Sequence, residues 1–589
     1  MTYEDPAMNE AIPHSRVPTA RGPFVLLLAV LLCAGGVARA SQSVEVGGPS
    51  SRLPYLERLW RQAAAGEPLS HRKEAVAPMN YLRYYYSVPS KEPPPTVEAD
   101  LCIYGATPAG IAAAIQASRL GKRAVIAEFG RHVGGMTASG LGATDTGNKQ
   151  AIGGIAREFY RRLGAYYRME AEAWTFEPKI AELTFLRMLS IAGVEVRFEQ
   201  RLAKVVMHDG RIVQIEMEDG TTYRAGMFVD ATYEGDLMAK AGVSYTVGRE
   251  ANAQYGETLN GVQFGRPFHR FVRAVDPYVR EGDPSSGLLW GVSGEHPGHQ
   301  GEGDHRVQAY CFRMCLTRNP ENRLPFTRPD DYDARRYELL ARYLSEGPQD
   351  VLYFSTGMPN DKTDVNNNGA FSTDNIGRNY EWPDGDYQTR ERIFQDHVTY
   401  QKGLMWFLVS DPRVPESIRR RVSEWGLPKD EFQETGGWPH QLYIREARRM
   451  VSDYVMTEHD CLSRRHAPDS VGLASYTMDS HNCQRYVDNG AAQNEGDVQV
   501  RVPRPYPVSY RAIVPKRGEC ANLLVPVCLS ASHIAFGSIR MEPVYMVLGQ
   551  SAGAAACLAL EEGTSVQDLS YDALRSLLLD AGQVLTWTP

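Results

Sequence analysis

The residues from Gly105 to Gly110 have the types and spacing of a turn that binds a pyrophosphate. Gly105 can adopt the backbone conformation of a sharp exit from a strand, and Gly110 lets a following helix pack closely on the sheet. The turn between them directs backbone N–H groups at phosphate oxygens. Glu128 follows at a distance where its carboxylate can accept hydrogen bonds from both hydroxyls of an adenosine ribose. This chemistry is the binding of a dinucleotide whose ribose is not phosphorylated.

The segments around this turn predict the elements that must position it. Residues 101–104 are an apolar run typical of a buried strand, the alanine-rich stretch after Gly110 predicts a helix, and residues 124–127 predict a second strand. A strand, a glycine turn, a helix and a strand ending in an acid form the layout of a dinucleotide-binding βαβ unit. The alternative is an ordinary βαβ crossover whose glycines only turn the chain.

Two residues inside the turn need separate comment. Thr107 stands where the common fingerprint has its second glycine, and its Cβ should hold the phosphates slightly farther from the backbone. Its hydroxyl can donate a hydrogen bond in compensation. Pro108 is tolerated in the first helical turn, where its missing N–H has no intrahelical partner.

Length and charge bound the class of protein. The 589 residues are enough for two or three domains with full cores. Lys and Arg number 63 and Asp and Glu 71, which gives a net charge of −8. Because the chain has no basic run, this balance argues against a nucleic-acid partner.

The N-terminal residues predict export to the periplasm or the medium. A short apolar block from Phe24 to Ala34 follows Arg16 and Arg21, and residues 38–40 form a small-x-small site that predicts cleavage before Ser41. The block is shorter than the roughly 20 apolar residues that span a bilayer, so no stable membrane anchor is expected. Retention of the block as an anchor is the alternative.

Cysteine and acidic patterns predict no metal site. Eight cysteines lie outside the leader, and their spacing leaves any disulfide pairing open. Cys-x-x-Cys and paired Cys/His spacings are absent from the sequence, which argues against structural zinc. Residues 364–369 match the opening of a calcium loop, but Asn375 stands where a bidentate glutamate is needed. We expect an ordered turn there, or an Asn-rich loop that faces a polyhydroxyl ligand together with Lys362.

The rest of the chain divides by composition. Residues 194–230 alternate as strands with turns at Asp209-Gly210 and Asp219-Gly220, a β-meander typical of flavin-binding domains. Residues 246–515 are rich in Tyr, Trp, Pro, Asn and Arg, with helical stretches near 331–346 and 388–409. The predicted organisation is a signal peptide (1–40), an extended arm (41–97), a cofactor domain in two parts (98–245 and 516–589) and an inserted substrate domain (246–515).

These segments resemble the FAD-dependent oxidoreductases of the glutathione-reductase-like superfamily, and most closely a bacterial, often exported group sometimes labelled xanthan-lyase-like. The resemblance extends over nearly all of 98–560. It is carried by Gly105–Gly110 with Glu128, Gly134–Met136, Asp230–Thr232 with Gly235-Asp236, and Ser538–Pro543 leading into Gly549–Gly553. The group usually has Gly where Ala106 stands. The resemblance implies an α/β fold: a discontinuous Rossmann FAD-binding domain with an inserted α+β substrate domain.

The resemblance also implies FAD as the cofactor and a role for each matching residue. Glu128 would bind the ribose, the glycine turn would hold the pyrophosphate, and Val205 would touch the adenine. A helix starting at Gly549 would point at the pyrimidine edge of the flavin. The full set implied for the cofactor is Gly105, Ala106, Thr107, Pro108, Ala109, Gly110, Glu128, Gly134, Gly135, Met136, Val205, Ala231, Thr232, Gly549, Gln550, Ser551 and Gly553. For the final helix, tight core packing is the alternative.

The reaction class follows from what hydride transfer to a flavin requires, namely a base and groups that orient the substrate. The candidates are His533, His440, Arg540 and Arg445. The alternative for each is a hydrogen-bonded core or surface residue, and for Arg540 it is a structural ion pair with Glu542 or Glu446. No redox cysteine pair follows the Gly134-Gly135 element, and no second complete nucleotide fingerprint is present. We therefore predict an exported oxidase or dehydrogenase acting on a small polar substrate, such as a sugar or another alcohol or amine. The alternative is a carbohydrate-binding or polysaccharide-cleaving protein with a structural flavin.

Overall fold

The computed structural model describes residues 82–345, 347, 351–355 and 357–588. The predicted leader and most of the predicted arm, residues 41–81, lie outside the described residues.

The described residues form 22 strands and 12 helices of α type. The strands are β1 Thr96–Tyr104, β2 Ala124–Ala127, β3 Glu195–Arg197, β4 Leu202–His208, β5 Arg211–Met217, β6 Thr222–Asp230, β7 Tyr245–Thr246, β8 Tyr278–Arg280, β9 Asp283–Leu288, β10 Met314–Thr317, β11 Arg323–Leu324, β12 Leu352–Phe354, β13 Lys362–Asn367, β14 Leu427–Pro428, β15 Arg449–Met450, β16 Ser470–Ala474, β17 Met478–Ser480, β18 Gln484–Asp488, β19 Ala491–Glu495, β20 Val498–Val500, β21 Tyr506–Ser509 and β22 Leu523–Leu524. The helices are α1 Pro108–Arg119, α2 Gly154–Tyr166, α3 Pro178–Ala192, α4 Asp236–Lys240, α5 Asn252–Tyr255, α6 Glu338–Ser345, α7 Tyr387–Ser410, α8 Glu416–Ser423, α9 Glu458–Cys461, α10 His533–Ile539, α11 Glu542–Glu562 and α12 Tyr571–Asp580.

A seven-stranded mixed sheet carries the predicted crossover. Its order is β3-β2-β1-β6-β5-β4, with β22 pairing β6, and β3, β2, β1, β6 and β22 run parallel. Parallel strands buried on both faces need continuous apolar sequence, which the ends of β1 and β6 supply. Tyr104 aligns with Ala127 and Asp230, so the carboxyl ends of β1, β2 and β6 meet at one edge. The predicted α/β class is confirmed.

The meander predicted over residues 194–230 is also confirmed. β4, β5 and β6 pair antiparallel in sequence order. Asp209, Gly210 and Gly220 have φ values of 48°, 70° and 86°, as tight hairpin turns require.

The final long helix differs from the prediction. α11 begins at Glu542, with Met541 as its N-cap residue and Pro543 in its first turn, so Gly549 lies in its middle and not at its start. A Cβ at Gly549 would lie 2.1 Å from the carbonyl oxygen of Ala109, and one at Gly553 would lie 2.4 Å from that of Ala113. The small residues therefore let α11 pack backbone to backbone on α1. In the described chain, α11 is the helix long and apolar enough for a membrane span, and 89% of its apolar window is buried inside the protein.

Between the two parts of the sheet domain, the chain forms small two- and three-stranded sheets and the helices α5 to α9. The helices predicted near 331–346 and 388–409 correspond to α6 and α7. The ordered turn predicted at 364–369 is wrong, because residues 362–367 form β13 between β10 and β12.

Ion pairs explain why the Asn-rich segment is a buried strand. Asp364 accepts hydrogen bonds from Arg313 at 2.8 and 2.5 Å. The Nζ of Lys362 lies 2.6 Å from carboxylate oxygens of Glu177 and Glu431. Glu177, Asp430 and Glu431 are close enough to share a cation, and the Lys362 ammonium supplies that charge.

The eight cysteines of the described residues are all buried free thiols. No disulfide links this part of the chain.

Candidate functional site

A cavity opens at the edge where β1, β2 and β6 end. Six of the residues predicted to bind the cofactor line it: Gly105, Ala106, Thr107, Glu128, Gly135 and Thr232. The wall is completed by residues from the arm, from the connection between β3 and β4, and from residues 434–441. Ligands bind at the carboxyl ends of parallel strands in folds of this class.

The glycine turn forms the floor of this cavity. Gly105 has φ of 102°, and a Cβ there would lie 3.0 Å from Ala231 C and from Thr232 Cγ2. A Cβ at Gly110 would lie 2.0 Å from the Gly105 carbonyl oxygen. Larger side chains would therefore push the first helix off the sheet and fill the space beside the turn.

The hydroxyl of Thr107 has a different role from the one predicted. It donates to the carbonyl of Ala231 at 2.6 Å and accepts from the N–H of Gly110 at 3.4 Å, as the N-cap of α1. Its single proton is thus used inside the protein. The predicted compensating hydrogen bond to a phosphate is wrong.

Glu128 is positioned by backbone N–H groups. Its Oε2 accepts from Ala106 at 2.6 Å and its Oε1 from Gly130 at 2.7 Å, while burial raises its pKa. Each carboxylate oxygen can accept two hydrogen bonds, so each keeps one lone pair for a hydroxyl. Gly105 leaves the floor of the cavity clear for a pyrophosphate. The two free acceptors of Glu128 fit the hydroxyls of a ribose, so the site fits a dinucleotide.

Gly135, which the resemblance implies to lie along the flavin side, also lines the cavity, and the start of α11 reaches its neighbour Met136 through Tyr233. Glu542, the first residue of α11, accepts hydrogen bonds from the hydroxyls of Thr137 and Tyr233, each at 2.9 Å. Tyr233 accepts in turn from the N–H of Met136 at 3.0 Å. Burial raises the pKa of Glu542 to about 7. The helix therefore reaches the predicted flavin end through Glu542 and not through Gly549.

The other residues predicted to bind the cofactor do not line the cavity. Gln550 accepts from the N–H of Ile155 and donates to Gln116, and Ser551 donates to Val471. Val205 lies within β4 opposite Ile215. The residues in this group are Pro108, Ala109, Gly110, Gly134, Met136, Val205, Ala231, Gly549, Gln550, Ser551 and Gly553.

Of the predicted catalytic residues, His440 lines the cavity. Its ring stacks on that of His132, with centroids 3.5 Å apart and planes 10° apart. His132 is held between Glu182, 2.9 Å from its Nδ1, and Glu434. The next residue, Gln441, donates its N–H to Ser139 Oγ at 2.9 Å, which joins this segment to the one that follows Gly135.

Arg540 and Arg445 belong to a buried group that we call the charged cluster: Asp374, Tyr443, Arg445, Asp479, His481 and Arg540. Arg540 donates to the Tyr443 hydroxyl at 2.8 Å and to Asp479 at 2.7 Å. Arg445 lies 3.1 Å from Asp374. His481 bridges the two acids, with Nδ1 2.7 Å from Asp374 and Nε2 3.5 Å from Asp479.

The charges of this cluster are set by one another. Burial favours a raised pKa for each acid, yet His481 and Arg540 hold the pKa of Asp479 well below its usual range, and Arg445 and His481 lower that of Asp374 to about 2. Burial and Arg445 lower the pKa of His481, but the two carboxylates outweigh them and raise it. The two acids of the cluster are therefore ionised beside the guanidinium groups of Arg445 and Arg540, whereas burial raises the pKa of Tyr443.

His533 lies elsewhere, in a core network. Its Nδ1 is 2.7 Å from Glu446 and its Nε2 is 3.0 Å from Ser480 Oγ. Burial lowers its pKa to about 3, which keeps the imidazole neutral. It lines no part of the cavity.

Sequence reasoning missed three kinds of site residue. Arg201 lines the cavity four positions before Val205, Tyr84 and Tyr86 come from the arm, and Asp479 and His481 complete the charged cluster. The tyrosine run was visible in the sequence. Nothing local distinguishes Arg201 or Asp479 from other charged residues.

A family model described as FAD dependent oxidoreductase matches residues 100–578. No curated protein matches. Among solved structures, THI4 from Thermovibrio ammonificans shares 20% identity over 28% of this chain and 71% of its own, with a TM-score of 0.21.

Two further similar structures are L-amino acid deaminase from Proteus vulgaris and L-proline dehydrogenase from P.horikoshii. The deaminase shares 14% identity over 28% of this chain and 54% of its own, with a TM-score of 0.22. The dehydrogenase shares 13% identity over 27% of this chain and 59% of its own, with a TM-score of 0.21. This chain also spans 42% of the flavin-dependent brominase Bmp2. Likenesses of this size say nothing about the reaction of this chain.

The family model alone covers most of the sequence, from the first strand of the crossover into the last helix. The protein is therefore a member of the FAD-dependent oxidoreductase family, with FAD as its cofactor.

Proposed function

We propose that the enzyme is exported and that it oxidises a small polar substrate, a sugar or another alcohol or amine, bound between His440 and the charged cluster. The observation that carries this proposal is the path of one segment, which lines the cavity at His440 and enters the charged cluster at Tyr443 and Arg445. FAD, when bound, supplies the acceptor of a hydride from a substrate C–H bond.

His440 is proposed to take the substrate proton. Oxidation of an alcohol or amine releases a proton from O–H or N–H as the C–H hydride leaves, and the product is a carbonyl or an imine. His440 is at the cavity wall near Gly135, whereas His533 is enclosed by Glu446 and Ser480. His132 holds the ring of His440 by stacking.

Arg540 is proposed to orient the substrate. Its Nη1 and Nη2 are held by Tyr443 and Asp479, whereas its buried Nε has no hydrogen-bond partner among the described residues. A guanidinium fixed on two sides can present its remaining N–H to a substrate oxygen without a reorganisation cost. Asp479 keeps this charge in place.

Anaerobic bleaching of the bound flavin tests the proposal. Wild-type protein mixed with a panel of sugars, alcohols and amines should lose its visible absorbance with one substrate class. His440→Asn and Arg540→Lys should keep FAD but bleach about 100-fold or more slowly, the scale expected for loss of a base or a positioned donor. Unchanged bleaching rates in both variants would refute these roles.

The same experiment separates the alternative function. A protein that cleaves or binds a polysaccharide while its flavin stays oxidised would show that the flavin is structural. Export is tested independently, by sequencing the N-terminus of the secreted or periplasmic protein. The apolar block at 24–34 and the site at 38–40 predict that it starts at Ser41.

A further inference from the structure

Arg201 is a buried cation at the cavity wall. Its side chain comes from the connection between β3 and β4, the residue is 1% exposed, and it lines the cavity. Its Nε and Nη1 have no hydrogen-bond partner within the described part of the chain. A buried guanidinium with unmade hydrogen bonds is costly, which points to a ligand that supplies acceptors.

Three aromatic rings surround this guanidinium. Its Cζ lies 4.2 Å from the ring centroid of Tyr86, 5.5 Å from that of Tyr85 and 5.4 Å from that of Phe129. Cation–π contacts stabilise the charge but accept none of its N–H groups in the plane of the guanidinium. The side chain is therefore positioned and still able to donate.

The arm residues that supply two of these rings are themselves anchored. The N–H groups of Tyr84 and Tyr85 donate to Glu391 on α7, at 2.7 and 2.9 Å. The Tyr84 ring stacks on Phe129 at 4.7 Å, and Tyr86 donates to Glu199 at 2.5 Å. The arm thus closes one side of the cavity.

This wall adjoins the carboxylate that fits the ribose. The N–H of Gln200 donates to the Glu128 carbonyl at 2.8 Å, and that of Glu199 donates to the Gly130 carbonyl at 2.9 Å. Arg201 follows directly. Its position is therefore beside Glu128, the residue that fits the adenosine ribose.

We propose that Arg201, held by Tyr85 and Tyr86 of the arm, binds the adenosine diphosphate half of FAD. The guanidinium donates to acceptors that this half offers, which are phosphate oxygens and adenine ring nitrogens. The arm is then part of the cofactor site and not only a linker. This inference depends on the cofactor and is independent of the proposed substrate.

Binding to the apoprotein tests the inference without turnover. ADP affinity is measured by calorimetry and FMN affinity by flavin fluorescence, for wild type, Arg201→Met, Arg201→Lys and the control Arg224→Met. Arg224 is an exposed arginine of β6 that donates to Gln214. We expect ADP to bind Arg201→Met about 10- to 100-fold more weakly than wild type, as for the loss of charge-assisted hydrogen bonds. FMN affinity should be unchanged in Arg201→Met, and ADP affinity should be unchanged in the control Arg224→Met.

The affinity for adenosine, measured in the same variants, identifies the ligand atoms that accept hydrogen bonds from Arg201. A loss confined to ADP indicates a phosphate oxygen, and an equal loss for adenosine indicates the adenine ring. Arg201→Lys keeps the charge but loses the planar set of guanidinium donors, so it should bind ADP with intermediate affinity. If Arg201→Met does not fold, Tyr86→Ala should still weaken ADP binding by removing the nearest ring. ADP affinities within twofold of wild type in the folded variants would overturn the proposal. Such a result would leave FAD as the cofactor and remove only the role of Arg201.

Discussion

The adenosine end of the cavity and the charged cluster are built in different ways. The first takes its main parts, Gly105 and Glu128, from one strand–helix–strand unit, and it depends on close backbone contacts. The second collects Asp374, Tyr443, Asp479 and Arg540 from separate strands and loops, and it depends on mutual compensation of buried charges. Local spacing can therefore reveal the first region, whereas only the fold assembles the second.

The largest effect is expected from adding one methyl group at the backbone contact between α11 and α1. In Gly549→Ala the new Cβ would lie 2.1 Å from the carbonyl oxygen of Ala109, an atom that cannot rotate away. The contact between α11 and α1 must open, and we expect a loss of about 3 kcal/mol or more in the free energy of unfolding, together with lower FAD content. Chemical denaturation and the ratio of flavin to protein absorbance measure both effects.

Gly294→Ala is the matched control. A Cβ there meets only Leu288 Cδ1 at 3.6 Å, and the residue is exposed. Equal stability losses in the two variants would mean that the close helix contact does not determine the stability of the adenosine end.

The sequence predicted the parts of the fold that short-range rules determine. Glycines with positive φ, the acid after β2 and the hairpin turns are local features, and the structure has Gly105, Glu128 and Gly210 in the conformations or places expected. The start of α11 was missed because the small residues near Gly549 were given more weight than Pro543, which is the better start signal.

Sequence reasoning did not find the partners of Arg445 and Arg540, because these partners are distant along the chain. Arg445 and Arg540 were candidates, but Asp374 and Asp479, which determine their charge and orientation, carry no local pattern. Asp364 was assigned to a turn because nothing local marks its partner Arg313, which lies just before β10. Only the fold brings such pairs together, so their spacing along the chain does not predict them.

Glu542 lies two residues after Arg540 of the charged cluster and contacts Tyr233 of the cavity wall, and its ionisation gives a pH-dependent prediction. Its pKa is raised from the ordinary glutamate value to about 7, so the folded state holds its proton more tightly than the unfolded state. Stability from this group is therefore full below the unfolded pKa of about 4.5 and is lost as pH rises to about 7. At pH 8 the cost is about 3 kcal/mol.

Glu542→Gln should remove this loss. The amide keeps an acceptor for Tyr233, and the Thr137 hydroxyl can rotate to accept from the new NH₂ group. Urea denaturation at pH 5 and pH 8 should show a smaller decrease for the variant than for wild type. Glu562→Gln, at an exposed position on the same helix, is the control. A decrease in Glu542→Gln as large as in wild type would show that ionisation of this carboxyl does not cause the loss of stability.

The smallest expected effect comes from changing one acceptor at the adenosine end. Glu128→Gln keeps the side-chain volume and one oxygen, but it replaces the second acceptor with a donor that faces a ribose hydroxyl and a backbone N–H. We expect FAD to bind about tenfold more weakly, since one hydrogen bond to a charged acceptor contributes about 1.5 kcal/mol. Equilibrium dialysis with FAD measures the change.

FMN, which lacks the adenosine ribose, provides the internal control. Its affinity should be the same for Glu128→Gln and wild type, because Glu128 is expected to bind only the part of FAD that FMN lacks. The bleaching rate of Glu128→Gln loaded with FAD should also match wild type, since the charged cluster shares no residue with the adenosine end. If Glu128→Gln keeps its FAD affinity but loses turnover, the prediction is wrong. Glu128 would then act on the reaction of the substrate and not on binding of the cofactor.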